Sequence, residues 1–323
     1  MLLIVLRILV GILALTLIPV VSSAQDYPTK VIRIVVAFPT GGPTDPPARW
    51  VAEKLTEHFG QPAIVDFRGG AAGNIGTVYV AKALGDGYTL LFITSSFILS
   101  SVTSANLPFN PERDFAPVSS VSSGPTLLVA NAKLPVRSTQ DLIALARRSP
   151  GKITFGSSGR GAGLHLYGEL FKTLANVDML HVPYKGAGPA VTDLVGGHVD
   201  TMFVALPAIV PHLKSGRVVA LGVVSLKRAS ALPDVPTINE AGVSGFDGTS
   251  RYGMLAPVST PRDVINKLNA ALVKVLNTPE SRQRFADFGL EPDTSTPTEF
   301  ASYIKEQIVK WTKVARAAGV EPE

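Results

Sequence analysis

Continuous apolar runs rich in Val and Ile recur along this chain, and segments with helical spacing separate them. Runs of that kind belong to strands buried on both faces, with helices as the crossovers between parallel neighbours. The class implied is α/β. Strands are expected at 31–38, 63–67, 89–94, 126–131, 153–156, 180–183, 201–204, 218–225 and 252–256. Helices are expected near 48–58, 75–84, 139–148, 164–174 and 190–195. The rhythm then breaks: 261–276, 280–288 and 298–317 read as three helices with no strand between them. In the last of these, Phe300, Ile304, Ile308, Trp311 and Ala315 form one apolar stripe, which is core packing.

So many strands suit two sheets better than one. The Ser/Gly-rich stretches at 121–123 and 244–250 are the candidates for a double crossover. The expected division is a discontinuous first lobe, 25–123 with 251–323, and a second lobe, 124–250.

The N-terminus reads as an export signal. Arg7 is the only charge before Asp26, residues 8–21 are apolar, and Ser22-Ser23-Ala24 supplies small side chains. The apolar run falls short of the about 20 residues that span a bilayer. Cleavage after Ala24 and a periplasmic location are expected. The chain has no Cys, so a disulfide framework, a Cys-ligated cluster or zinc, a thiol nucleophile and a lipoprotein anchor are all excluded.

The formal net charge of +5 does not make a nucleic-acid binder. The densest basic groups, Arg147-Arg148 and Lys227-Arg228, are short pairs with no aromatic platform between them. Among the five His, at 58, 165, 181, 198 and 212, no pair has ligand spacing on one helix, so no metal is expected. Gly159-x-Gly161-x-Gly163 is not a dinucleotide fingerprint, and Gly156-Ser157-Ser158-Gly159 lacks the nucleophile-elbow spacing. No cofactor is expected.

Four segments share one design, a strand running into a Gly- or Ser-rich loop that opens a helix: 38–49, 67–76, 155–166 and 182–190. Such loops present unpaired N–H groups and the positive end of a helix dipole, where ligands of open α/β sheets bind. Each also has a plainer reading. Thr44 or Asp45 with Pro46 could simply start a helix, as could Gly188-Pro189. His165 suits either a ligand carboxylate or the core, and Asp45 reads as a cap more than as a base. Together the four loops argue for an anion site in a cleft.

Five motifs in order, YPTKVIRIVVAFPTGGPTDPPAR, GNIGT with DGYTLLF, FNPERDFAPVS, HLYGELF with HVPYKGAGPAVTDLVGGHVD, and LPDVPTINEAG, carry a further meaning. Over essentially the whole chain after the apolar start, the sequence resembles the Bug/TctC family of periplasmic solute receptors of tripartite tricarboxylate transporters. That resemblance implies a type II periplasmic binding fold, two α/β lobes joined by two crossover strands and closing on a ligand. It implies a non-enzymatic, monomeric receptor that binds a small organic carboxylate and meets membrane permease subunits.

Carried over by motif, the binding residues are Phe38, Pro39, Gly41, Gly42, Thr44 and Asp45 in the first loop, and Gly70, Ala71 and Gly73 in the second. The third strand end adds Thr94 and Ser95. The second lobe adds Ser157, Ser158, Gly159, His165, Tyr184, Lys185 and Gly186. Two further positions are departures from the family pattern. Val204-Ala205 replaces a common Asp-Asn, and Arg251 replaces a frequent Trp. With Ala205 in the distal wall, a carboxylate with an apolar or aromatic tail is expected to bind better than citrate. Arg251 turned into the cleft would reverse that preference. The rivals are a ligand sensor on the same fold and an exported hydrolase or isomerase using Asp45, His165 or Lys185.

Overall fold

The computed structural model describes residues 27–104 and 106–317; the expected signal segment, 1–24, lies outside the described residues. Two mixed sheets organise the chain. The first has the order β11-β4-β10-β3-β1-β2. Its strands are β1 (Ile32–Val36), β2 (Ala63–Phe67), β3 (Thr89–Ile93), β4 (Phe115–Gly124), β10 (Ser250–Pro257) and β11 (Glu291–Pro292). The second has the order β7-β6-β8-β5-β9, from β5 (Thr126–Asn131), β6 (Thr154–Ser157), β7 (Leu180–Pro183), β8 (Thr201–Ala205) and β9 (Val218–Val223).

The expectation of wholly parallel sheets is corrected. β1 is parallel to β2 and β3, and β6 to β7 and β8, but β10 and β5 run against their neighbours. The reason is the path of the chain. β4 carries it out of the first sheet, β10 brings it back, and the two pair antiparallel along the whole of β10.

The helices are α1 (Asp45–Phe59), α2 (Asn74–Ala81), α3 (Ser95–Thr103), α4 (Thr139–Arg148), α5 (Gly163–Ala175), α6 (Ala187–Gly196), α7 (Leu206–Lys214), α8 (Arg262–Leu276), α9 (Pro279–Asp287) and α10 (Pro297–Ala317). One apolar cluster runs through both halves, from Val35 and Leu91 past Leu99 to Tyr167, Phe203 and Trp311. The stripe on α10 is buried as expected: Phe300, Ile304, Trp311 and Ala315 are each at most 3% exposed. Tyr167 of α5 meets Trp311 of α10 edge-on at 5.3 Å between centroids. No helix among the described residues is long and apolar enough to cross a membrane.

Four elements depart from the sequence reading. β4, FAPVSSVSSG, looks like a loop, yet it lies inside the first sheet. Tertiary partners satisfy two of its serines: Ser119 Oγ donates to the Ser295 carbonyl at 2.9 Å and Ser120 Oγ lies 2.9 Å from Ser295 Oγ. α3, SSFILSSVT, is equally rich in hydroxyls, and its Ser100 and Ser101 donate back to Ser96 and Ile98 carbonyls within the helix. α7 forms despite Pro211 in its interior. The two-residue β11 also interrupts the expected run of C-terminal helices.

Candidate functional site

β1 ends beneath the loop 37–44, which opens α1, and β3 ends at Thr94, which opens α3. From the second sheet, β6, β7 and β8 end at the openings of α5, α6 and α7. These five helix starts converge on one cavity of about 210 Å³ between the two sheets. Its lining contains Thr44, Thr94, Ser95, Ser96, Ser158 and Lys185, and no acidic side chain among the described residues.

The first-sheet side is a wall of hydroxyls. Thr44 Oγ1 is buried, lies at the start of α1 and has no hydrogen-bond partner among the described residues. A buried polar atom left this way costs about 1–3 kcal/mol, so it marks a place where another group is needed. α1 itself offers few N–H donors. Pro46 and Pro47 carry none, and the Asp45 N–H donates to the Gly42 carbonyl at 3.1 Å. α1 gives the cavity its dipole, and Thr44 borders it with an Oγ1 that is itself shielded from solvent. Thr94 is different, because its Oγ1 already accepts the Ser96 N–H at 3.1 Å. Ser95 Oγ is also engaged, with Ser250 Oγ at 3.2 Å and the Arg251 N–H at 3.1 Å.

The second-sheet side is mainly apolar, with main-chain amides at the starts of α5 and α6. At α7 the Leu206 N–H donates to the Pro125 carbonyl at 2.9 Å and Pro207 has none. α5, α6 and α7 begin at Ala162, Gly186 and Ala205, and none of those positions provides a side-chain cap. Exposed Lys185 supplies the one charged side chain of the lining, and Leu164, Pro189, Val204 and Ala205 supply apolar surface. An apolar pocket edged by uncapped helix starts, a spare hydroxyl and a cation suits a small anion with a hydrocarbon body.

The structure brings eleven of the twenty sequence-expected residues to this lining: Phe38, Pro39, Gly41, Gly42, Thr44, Thr94, Ser95, Ser158, Lys185, Gly186 and Ala205. The others stand behind it. Asp45 is spent holding its own loop, accepting the Gly41 N–H at 2.9 Å and pairing with Arg49 at 2.5 Å. Gly41 therefore lines the cavity with its amide already engaged. In the second loop, Gly73 packs under the Phe38 ring, where a Cβ would lie 3.4 Å from Cζ. Gly70 and Ala71, with left-handed φ of 128° and 47°, shape the turn beside it. That loop props the first one from behind.

Ser157, Gly159, His165 and Tyr184 form a similar layer in the second half. Ser157 Oγ accepts the Gly159 N–H at 3.2 Å and lies 2.6 Å from His181 Nε2. Tyr184 donates its hydroxyl to Asp193 at 2.7 Å, and burial with that carboxylate pushes its pKa up to about 12. His165 stacks on His181 at 3.9 Å between ring centroids. Burial, then the neighbouring His165, push the His181 pKa down to about 4.

Arg251 does not turn into the cavity. It pairs with Asp293 at 2.7 Å and lies 4.5 Å over the Tyr303 ring. Sequence reasoning missed Ser96 and Leu99, because α3 was not expected, and Tyr167, which lies one turn inside α5. The signal for α3 was Thr94 before Phe97-Ile98-Leu99, a capping residue leading into an apolar run. Among the described residues no cluster of metal-binding side chains is present.

Comparisons with known proteins agree with this architecture. The chain is 37% identical over 301 residues to Protein BugT of Bordetella pertussis, covering 93% of this chain and 92% of that one. An R. palustris protein solved with adipate superposes with a TM-score of 0.88 at 37% identity, covering 92% of this chain and all of that one. MatC from Rhodopseudomonas palustris with bound malate gives 0.82 at 32% identity, covering 89% of this chain and 99% of that one. The periplasmic binding protein BugD gives 0.85 at 34% identity, covering 92% and 100% respectively. The family model described as the tripartite tricarboxylate transporter family receptor matches residues 47–320, and the chain belongs to that family of solute-binding receptors.

Proposed function

We propose that the protein is exported to the periplasm by residues 1–24 and captures a small organic carboxylate between two lobes, 25–123 with 251–323 and 124–250. It then delivers that carboxylate to the membrane permease of a tripartite transporter, acting as a monomer without cofactor or metal. The observation that carries this reading is Thr44 Oγ1, buried and without a partner among the described residues, at a helix start that opens on a cavity lined by no acidic side chain among them. Adipate and malate in two relatives support the ligand class.

The head group belongs against Thr44 and the starts of α1 and α3. Its hydrocarbon body belongs against Leu164, Pro189, Val204 and Ala205. Hydrogen bonds to a charged group contribute about 1.5–3 kcal/mol each, so three or four reach the about 8 kcal/mol of a micromolar complex if ordering costs stay small. Loops preset on strand ends keep those costs small. Binding rather than catalysis fits the placement of Asp45, His165 and Lys185, of which only Lys185 lines the cavity.

Native mass spectrometry of the protein purified from the periplasm, followed by calorimetry on mono-, di- and tricarboxylates, tests the reading. A co-purified carboxylate bound one to one, without turnover, is expected, and an apolar-bodied carboxylate should outbind citrate. Citrate as the tightest ligand, with binding lost in Arg251→Ala, would contradict the placement of the ligand body. Product formation would contradict the receptor role.

A further inference from the structure

At one edge of the cavity, where Leu99 and Gly163 still line it, the two halves come into close contact. At the end of α3, Thr103 Oγ1 donates to the Gly161 carbonyl at 2.5 Å. Gly161 lies in the loop between β6 and α5 with φ of +69°, and a Cβ there would stand 2.8 Å from Thr103 Oγ1. Two residues on, a Cβ at Gly163 would come within 2.4 Å of Leu99 Cδ1 on α3. Gly161 favours glycine for its conformation, and a side chain at Gly163 would require Leu99 Cδ1 to move aside. Thr103 is buried, so this hydrogen bond is shielded from water.

The Gly161 residue is also held from the other side. Its N–H donates to His165 Nδ1 at 3.2 Å, and His165 Nε2 lies 3.6 Å from Glu169 Oε1. A ring nitrogen that accepts a hydrogen bond carries no proton. In the imidazolium both nitrogens are donors, and the Gly161 N–H then faces another N–H. The titratable and charged groups around the stacked His165 and His181 rings are Glu169 and Lys172 on α5 and Arg160 on the loop itself.

We propose that Thr103, Gly161 and His165 form a latch that holds the two halves shut over the cavity, and that protonation of His165 Nδ1 releases it. Thr103 is then a positioning residue for ligand retention. It touches nothing bound but sets how long the closed state lasts. The inference rests on the carboxylate-receptor reading only for the ligand used to probe it.

The chain has no Cys, so a pair of spin labels can be placed at Glu53→Cys on α1 and Thr192→Cys on α6, both exposed and on opposite sides of the cavity. Distances between the labels are recorded with and without saturating adipate, at about pH 7.5 and about pH 5.5. Thr103→Val should move the population towards longer distances and weaken adipate binding roughly three- to tenfold, mainly through faster dissociation. Thr103→Ser should restore both. Acid should open the parent protein, whereas His165→Asn, whose amide oxygen can accept the Gly161 N–H at any pH, should stay closed. Unchanged distances in Thr103→Val, or acid opening that persists in His165→Asn, would overturn the latch. If the parent protein binds no adipate, the ligand assignment fails, while the ligand-free distances still decide the latch.

Discussion

The two walls of the cavity solve one problem with different chemistry. On the first-sheet side, prolines at the start of α1 remove main-chain donors, and hydroxyls take their place: Thr44, Thr94, Ser95 and Ser96. On the second-sheet side, the starts of α5, α6 and α7 lack side-chain caps. Pro189 and Pro207 remove donors there too, and the Leu206 N–H donates to the Pro125 carbonyl. That wall is mainly apolar surface with Lys185 and the first amides of α5 and α6. A carboxylate needs directed donors, whereas a hydrocarbon body needs only shape and dryness. The first wall is built to read a head group and the second to cover the hydrocarbon body attached to it.

The sharpest way to break this contrast is at two threonines that look alike in sequence. Thr44→Val should weaken carboxylate binding by about 10- to 100-fold, the value of one hydrogen bond to a charged group. It should raise the stability of the ligand-free protein by about 1–3 kcal/mol, since that buried hydroxyl has no hydrogen-bond partner among the described residues. Thr94→Val should do the reverse in stability, costing about 1 kcal/mol through the lost cap on Ser96. Calorimetric titration and thermal melts of both variants measure the difference. Equal behaviour of the two would erase the distinction between spare and engaged hydroxyls.

On the opposite wall, Lys185→Gln should weaken binding by about two- to fivefold, in keeping with an exposed charge, and should reduce its salt dependence. The loss should be larger for a dicarboxylate than for a monocarboxylate of the same length. Titrations at low and high salt would show it, and an equal loss for both would place Lys185 away from the ligand's far end.

The smallest effect concerns the layer behind that wall. The His181 pKa, pushed down to about 4, lies below the ordinary His value. On acidification the unfolded chain therefore takes up this proton first. Stability from this group is intact above the ordinary His range and is lost as pH falls from about 6.5 towards about 4. The ring is only half-buried, so the loss should be about 1 kcal/mol. Thermal melts from neutral to acid pH should fall less steeply in His181→Gln than in the parent protein. Identical slopes would remove His181 from the acid response.

Much of the fold was legible because apolar β-branched runs announce buried strands. All nine expected strands are present, from β1 to β10 with β4 excepted. What the sequence hid was written in serine. β4 and α3 carry hydroxyls whose partners, Ser295 for one and the helix's own carbonyls for the other, are visible only once the chain has folded. The site divided in the same way. Gly41, Gly42, Gly186, Thr44, Thr94, Ser95 and Ser158 reached the lining from strand ends, whereas Gly70, Gly73, Ser157 and Gly159 stand in the layer behind it. Asp45, Tyr184 and Arg251 did not reach the lining either, because each found a partner in Arg49, Asp193 or Asp293. Charge and motif cannot show in advance which polar group is already engaged.

The central claim, that a carboxylate head is read by the hydroxyl wall, is tested most directly by a crystal structure of the protein with the carboxylate that co-purifies with it. The account predicts a carboxylate oxygen about 3 Å from Thr44 Oγ1, with the rest of the ligand against Leu164, Pro189, Val204 and Ala205. A ligand whose carboxylates all lie against the second wall, with Thr44 Oγ1 still unpartnered, would contradict it.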